Sequence, residues 1–273
     1  MLVSGNGRAG IVRASVPPVF PRSRPLKTLF QPLLRKLGAF LPLDEADQAA
    51  VAALPLDVRH CLPGEALVLQ GQKPDGIVLV LSGFAIRFKL LPGGRRQIVG
   101  FCLPGDLCDI RLDLVRRMDH HVAALTPLVA CVIPPGALQS LMRERPRLAR
   151  ALLWSSFVEE SIAREWIVNV GHRSALERLS HLFCELYLRL ETVGLASGMT
   201  CDLPIRQSEM ADTLALSAVH VNRTLMELRR GGLLSFSTRR LVIHDMPGLQ
   251  ATAGFDPGYL HLDVEVDAGL PVA

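Results

Sequence analysis

The sequence predicts an α+β protein: an N-terminal antiparallel β-roll, a long central helix and a C-terminal winged helix-turn-helix. Three observations predict it. Between residues 58 and 135, short runs rich in Val, Ile and Leu are interrupted by Gly and Pro at roughly ten-residue intervals, the punctuation of an all-β barrel, roll or sandwich. From Arg147 to Asn169 apolar residues recur mostly at three- and four-residue steps, which gives a helix one apolar face over about six turns. Between 203 and 244 two short helical runs flank a tight turn and lead into a hairpin pattern.

Residues 29 to about 55 form a helical lead-in, in which Asp44-Glu45 opens a run over Ala46–Leu54 and Leu43 supplies a hydrophobic staple. The strands expected next are Ala66–Leu69, Gly76–Leu81, Ala85–Leu90, Gln97–Phe101, Val122–Leu125 and Val129–Ile133. Pro92-Gly93-Gly94 offers the positive-φ residues that a hairpin loop needs. From Leu138 the pattern turns helical, and Pro146 suits the first turn of the central helix.

The apolar face of that helix holds Leu148, Leu152, Val158, Ile162 and Trp166. A helix of this length between two domains can pair with its twin, and Leu148, Leu152, Ile162 and Trp166 are the expected dimerisation contacts. The other reading packs the same face on the helix's own domain, and periodicity alone does not separate the two. Gly171 is expected to break the helix and serve as a hinge. A second helix follows over Ser174–Thr192, with Leu176, Leu179, Leu182, Phe183, Leu186 and Leu190 on one side.

The chemistry concentrates between residues 203 and 244. A short helix begins at Gln207 or Ser208 and runs to about Leu214, with Met210, Ala211 and Leu214 facing inward. After a turn at Ala215–Leu216, Ser217 is placed to cap the next helix, Ala218–Arg230. That helix buries Val221, Leu225 and Leu228 and exposes Ala218, Val219, His220, Asn222, Arg223 and Glu227. Gly231-Gly232 ends it, and Leu233–Phe236 pairs with Arg240–Ile243 across Ser237-Thr238-Arg239. Between Ala218 and His244 five arginines (Arg223, Arg229, Arg230, Arg239, Arg240) face one glutamate, Glu227. A helix of this kind fits the major groove of double-stranded DNA, and its first turns reach base edges. The expected DNA-binding residues are therefore Ser217, Ala218, Val219, His220, Asn222 and Arg223, with Arg239 and Arg240 on phosphates.

This order of elements resembles the Crp/Fnr family of bacterial regulators, the cyclic-AMP receptor proteins and their oxygen-sensing relatives. The likeness spans about residues 29–245 and is most specific at Gln207-Ser208-Glu209-Met210-Ala211 and at Leu216-Ser217-Ala218-Val219-His220-Val221-Asn222-Arg223. In the roll it rests on Pro63-Gly64-Glu65, Leu81-Ser82-Gly83 and Leu103-Pro104-Gly105-Asp106. The resemblance implies a cyclic-nucleotide-binding-like jelly roll and a homodimer that reads a two-fold symmetric operator with half-sites about one helical turn apart. For an activator it also implies RNA polymerase as a partner.

The sequence departs from that family in ways that matter. Ala215 stands where the family usually has Gly, and Val219 where it often has Glu, while Arg223 matches the base-reading Arg. Cyclic-nucleotide binders of the family carry Gly-Glu for the ribose and Arg-Ser for the cyclic phosphate. Here the two regions read Gly105-Asp106-Leu107-Cys108-Asp109-Ile110 and Met118-Asp119-His120-His121. A phosphate needs a cation and donors, so tight cyclic-AMP binding is not expected and the effector stays unknown. The clustered N-terminal cysteines of the family's oxygen sensors are absent.

Composition sets wider bounds. The 273 residues suffice for two domains, and a net charge of +4 is compatible with a phosphate-bearing partner without requiring one. Six cysteines without a CxxC pair read as reduced thiols of a cytoplasmic protein, with no metal and no cofactor expected. No run approaches the ~20 apolar residues of a membrane span, so no membrane association is expected. His120 and His121 are adjacent, so on a strand they point to opposite faces and do not share a metal. No Ser/His/Asp or Walker-type motif is present, and no catalytic residue is expected.

The expected divisions are a disordered basic tail at 1–28, the β-roll sensor at 29–145, the dimerisation helix at 146–170, the winged helix-turn-helix at 171–246 and a C-terminal tail at 247–273. The first tail has two readings, an arm that touches DNA and, preferred, a start codon placed too early. The second, with Asp263, Glu265 and Asp267, either is disordered or packs on the wing. Two other functions stay open: a cupin-like metal-binding enzyme, and a ligand-sensing module that contacts protein rather than DNA.

Overall fold

A computed structural model describes residues 26–110 and 116–262. Most of the expected basic tail lies outside these residues, as do Asp263, Glu265 and Asp267. The helical lead-in resolves into α1 (Leu26–Leu29), α2 (Gln31–Phe40) and α3 (Glu45–Ala52). Asp44 caps α3, its side chain accepting from Asp47 N at 2.7 Å while Asp47 reaches back to Asp44 N.

The roll consists of β1 (Asp57–Cys61), β2 (Ala66–Val68), β3 (Ile77–Ser82), β4 (Ala85–Leu90), β5 (Arg96–Cys102), β6 (Leu107–Cys108), β7 (His121–Ala124) and β8 (Leu128–Ile133). They form two antiparallel four-stranded sheets, β1-β8-β3-β6 and β2-β7-β4-β5. Between β4 and β5, Gly93 and Gly94 take φ of 82° and 76°, as the hairpin requires. All of β8 is buried and β3 nearly so, because the first sheet is covered on both faces. One face meets the roll's interior. The other meets Phe30, Leu33 and Leu37 of the lead-in, together with Leu138, Leu141, Leu148 and Leu152 from the helices that follow.

Those helices are α4 (Pro135–Glu144), α5 (Pro146–His172) and α6 (Ala175–Thr192). One expectation about α5 is corrected. Gly171 does not break it, since the helix runs on to His172 and stops where Arg173 turns extended and Ser174 caps α6. A glycine inside a helix costs only about 1 kcal/mol, which a packed 27-residue helix tolerates. The expected dimer contacts Leu148, Leu152 and Ile162 are 0, 2 and 7% exposed within the single chain, and the half-buried Trp166 is tied to α6. Within the single chain Leu148 and Leu152 are covered by the roll, and Ile162 by the second sheet and α6.

Then come β9 (Ala196–Ser197), β10 (Thr200–Asp202), α7 (Gln207–Leu214), α8 (Ala218–Arg230), β11 (Leu234–Ser237) and β12 (Arg240–Ile243). The strands make one antiparallel sheet, β11-β12-β10-β9. The expected C-terminal tail instead folds, as α9 (Met246–Ala253) and a 3₁₀ turn (Pro257–Leu260). Asp245 caps α9 through Gly248 N at 2.9 Å, and Leu249, Ala253, Phe255 and Leu260 join the core built on α6. Fully burying each such leucine contributes roughly 1.5–3 kcal/mol, which is what holds this segment down.

Candidate nucleic-acid interface

The interface is assembled from α7, the turn, α8 and the β11–β12 wing. Glu209, buried in α7, receives the side chain of Arg206 at 2.7 Å and its backbone N–H as well, fixing the helix start. At the other end the carbonyls of Thr213 and Leu214 would be orphaned. Gln97 of β5 and Arg178 of α6 each donate to one of them at 3.0 Å. Ala215 then adopts φ 54°, ψ 43°, the left-handed conformation that a glycine normally fills. The alanine there costs about 1 kcal/mol, borne by packing of α7 on α8 and on β5.

Ser217 accepts from His220 N at 3.2 Å and starts α8. Val221, Thr224, Leu225 and Leu228 are buried on one side of the helix. Ser217, Ala218, Val219, Asn222 and Arg223 lie exposed on the other, with Val219 81% exposed and His220 half-buried among them. Six of the eight expected DNA-contacting residues are thus gathered on the first two turns of one helix. Asn222 donates to Gln207 Oε1 at 3.3 Å, and Arg223 hydrogen-bonds to His220 Nε2.

The wing supplies the other two. Thr238 and Arg239 both take positive φ, 48° and 64°, the requirement of a two-residue hairpin turn. Arg239 and Arg240 are exposed at its tip, while the carbonyl of Arg239 accepts from Leu203 N at 2.7 Å and steadies it. Arg229, counted with the basic group in the sequence, turns back to the carbonyl of Phe236 and ties α8 to β11. Gln207 and the exposed Arg206 belong to this surface too. In the sequence Gln207 reads only as a helix start, and its position four residues before Ala211, in a motif that precedes the turn, is the one signal that points to it.

The comparisons meet this geometry. A cyclic nucleotide-binding domain matches residues 58–145, and a Crp-like helix-turn-helix domain matches residues 177–252. Over 77% of this chain and 82% of its own length, the transcriptional activator protein FnrL of Cereibacter sphaeroides is 30% identical. The chain belongs to the Crp/Fnr family. The nitrogen fixation regulation protein FixK of Bradyrhizobium diazoefficiens is 31% identical over 71% of the chain and 81% of the relative. The structure of FixK2 from Bradyrhizobium japonicum superposes with a TM-score of 0.66 over 74% of this chain and all of that one, at 24% identity. The protein is thus a Crp/Fnr-type transcription regulator with a helix-turn-helix DNA-binding domain.

In this Crp/Fnr regulator a cavity of about 770 Å³ opens between the β4–β5 hairpin, α5, α6 and α7. Ile98, Phe101, Ile162 and Trp166 form apolar walls, while Arg87, Asp109, Glu159, Glu160, Glu185 and Arg189 supply the charges. Arg87 pairs with Glu159 at 2.7 Å, Arg189 with Asp106 at 2.9 Å and with Glu185 at 3.2 Å, and Lys36 with Asp106 at 2.6 Å. Burial pushes the Glu159 carboxyl up, but Arg87, Lys36 and Arg189 together outweigh it and hold the group at about 2. Both cavity arginines are therefore already matched by carboxylates. Where the family's nucleotide binders carry Arg-Ser, His120 stands between Asp109 at 3.2 Å and Asp119 at 2.9 Å. His121 turns elsewhere, accepting from Gln70 N and stacking on Phe88. Among the described residues no group of three or more His, Cys, Asp or Glu is arranged to hold a metal, and no helix is long and apolar enough to cross a membrane.

Proposed function

We propose that this regulator binds a two-fold symmetric operator in double-stranded DNA as a homodimer, through α8 and the wing. The observation that carries the reading is the exposed start of α8, with Val219 and Arg223 on its outer side and Arg239 and Arg240 exposed at the wing tip. Arg223 makes a bidentate contact to a guanine, Val219 packs on a thymine methyl, and the wing arginines sit on phosphates.

The dimer forms along a different stripe of α5 from the one periodicity suggests. Leu153, Phe157 and Ile167 are 46, 48 and 70% exposed, an apolar load that a lone chain has no reason to present. Positions 153, 157, 160, 164 and 167 advance by alternating steps of four and three, the repeat of a two-stranded coiled coil. The effector occupies the cavity between roll and central helix. Its charged lining, four carboxylates against two arginines that are already paired, disfavours an anionic ligand such as cyclic AMP. As an activator the protein also contacts RNA polymerase, and it works in the cytoplasm rather than as an enzyme.

Sedimentation with a selected duplex tests the assembly. Two chains per full operator, and loss of that complex in Ile167→Glu, support the reading. One chain bound per duplex, unaffected by the substitution, contradicts it.

A further inference from the structure

Past the wing the chain returns to the central helix. α9 packs on α6 and is followed by Gly254, whose carbonyl accepts from Arg173 at 3.4 Å. Arg173 is the residue at which α5 stops and turns towards α6, and it pairs with Glu165 of α5 at 2.6 Å. Residues 255–262 then run back along α5. The 3₁₀ turn packs on that helix, and Leu260 and Leu262 line one small cavity with Trp154, Val158 and Ile162. The ring of His261 lies 5.1 Å from that of Phe157.

On α6 the same segment meets two buried polar side chains. His181 is fully buried, and its ring centroid lies 5.1 Å from Phe255, 5.8 Å from Tyr259 and 5.8 Å from Trp166 of α5. Glu185, 1% exposed, accepts on Oε2 from the Tyr259 hydroxyl and from Trp166 Nε1, both at 2.9 Å, and on Oε1 from Arg189 at 3.2 Å. One carboxylate thus gathers donors from α5, α6 and the C-terminal segment. A buried carboxylate that loses a donor is left under-satisfied, which holds each donor in place. α6 is also the platform of the DNA-binding module, since Leu179, Phe183 and Leu186 share one core with Leu214, Leu225 and Leu228.

We propose that residues 255–262 are a strap that fixes the angle between the central helix and the DNA-binding module, with Tyr259 as its positioning residue. Tyr259 acts through Glu185, not through DNA. In a dimer that angle sets how far apart the two copies of α8 stand. A symmetric operator engages both only when the distance matches its half-site spacing. This consequence rests on the proposed dimer and operator. Trp166, Glu185 and Arg189 also line the 770 Å³ cavity, so a molecule bound there reaches the catch of the strap directly.

The test compares the full-length protein with Tyr259→Phe, which keeps the ring on His181 and removes only the hydroxyl. Binding is titrated on the selected full operator, on operators lengthened or shortened by one base pair between the half-sites, and on duplexes with one half-site scrambled. The expected result is a loss of about fivefold or more on the full operator. Affinity for the single half-site is unchanged, and altered spacing costs the variant less than it costs the native protein. Tyr259→Leu, which removes the ring as well, shows the same pattern more strongly, and sedimentation finds a dimer in each case. An equal loss on full and half sites shows a merely structural role and overturns the proposal. An unchanged spacing penalty, or a Tyr259→Phe protein that no longer dimerises, overturns it too. A native protein that does not prefer the full operator contradicts the dimeric reading itself, and the strap's role in spacing falls with it. A native preference that Tyr259→Phe leaves intact contradicts the strap alone.

Discussion

Arg96 of β5 reaches Asp212 of α7 through two nitrogens, at 2.8 and 2.7 Å. One residue on, Gln97 donates to the carbonyl of Thr213. The β4–β5 hairpin, one wall of the cavity, is thereby fastened to the first helix of the DNA-binding module. The pair is one-third exposed on both sides, so its contribution to stability is modest, about 0.2–1 kcal/mol. Its weight lies in coupling. Arg96→Ala and Asp212→Ala are each expected to change operator affinity by the same factor, and the double substitution by no more than either. Binding titrations of the four proteins in a double-mutant cycle check this; additive effects contradict it.

Val219 sets one operator position. Val219→Glu restores an acceptor suited to a cytosine amino group in place of an apolar contact to a thymine methyl. Duplexes selected by the variant are expected to exchange thymine for cytosine at one position in each half-site. An unchanged motif would remove Val219 from base reading.

The wing arginines position the protein without reading sequence. Arg239→Ala with Arg240→Ala is expected to weaken binding to all duplexes alike. It should also flatten the dependence of log affinity on log salt by about four for a dimer. Titration at several salt concentrations measures it, and a loss confined to certain sequences contradicts the assignment.

The two stripes of α5 are separable by experiment. Leu148→Ala opens a cavity beneath the roll and is expected to cost about 2–5 kcal/mol of stability. Phe157→Glu changes an exposed side chain and is expected to leave monomer stability almost unchanged while abolishing the dimer. Denaturant unfolding and sedimentation, run on both variants, give opposite patterns if the seam lies where the exposed residues are.

His120 carries a pH signature. Burial lowers its proton affinity, but Asp109 and Asp119 outweigh that, so its folded pKa lies above the ordinary 6.5. A raised folded pKa means that its stabilisation is complete below the ordinary value and fades as pH rises through the folded one. His120→Gln is therefore expected to lower the melting temperature more at about pH 6 than at about pH 8.5. An equal loss at both values shows that the ring acts only by packing.

Much of the fold was legible because its signals are local. Pro92-Gly93-Gly94 announced a hairpin, Ser217 a helix cap, and Val221, Leu225 and Leu228 the buried side of α8, and each lies where those signals put it. β1 was not legible, since as an edge strand of Asp57-Val58-Arg59-His60-Cys61 it pairs with β8 alone and most of its side chains face solvent. Pro247, where the tail was expected to begin, occupies the first turn of α9, where its missing N–H is harmless. Periodicity on α5 finds the stripe that the chain buries within itself. A seam of Leu153, Phe157 and Ile167 interleaved with Glu160 and Arg164 has a weaker apolar signal, and it becomes visible only once the other stripe is seen to be covered. The Arg96–Asp212 clamp joins residues 116 positions apart, which no motif records.

The central claim is that α8 reads a symmetric sequence through Arg223. The most direct test is selection of bound duplexes from a random pool by the purified protein and by Arg223→Ala, followed by sequencing. The account predicts an inverted repeat for the native protein and loss of one conserved guanine from both half-sites in the variant. An identical motif from both proteins, or no symmetric motif from either, would contradict it.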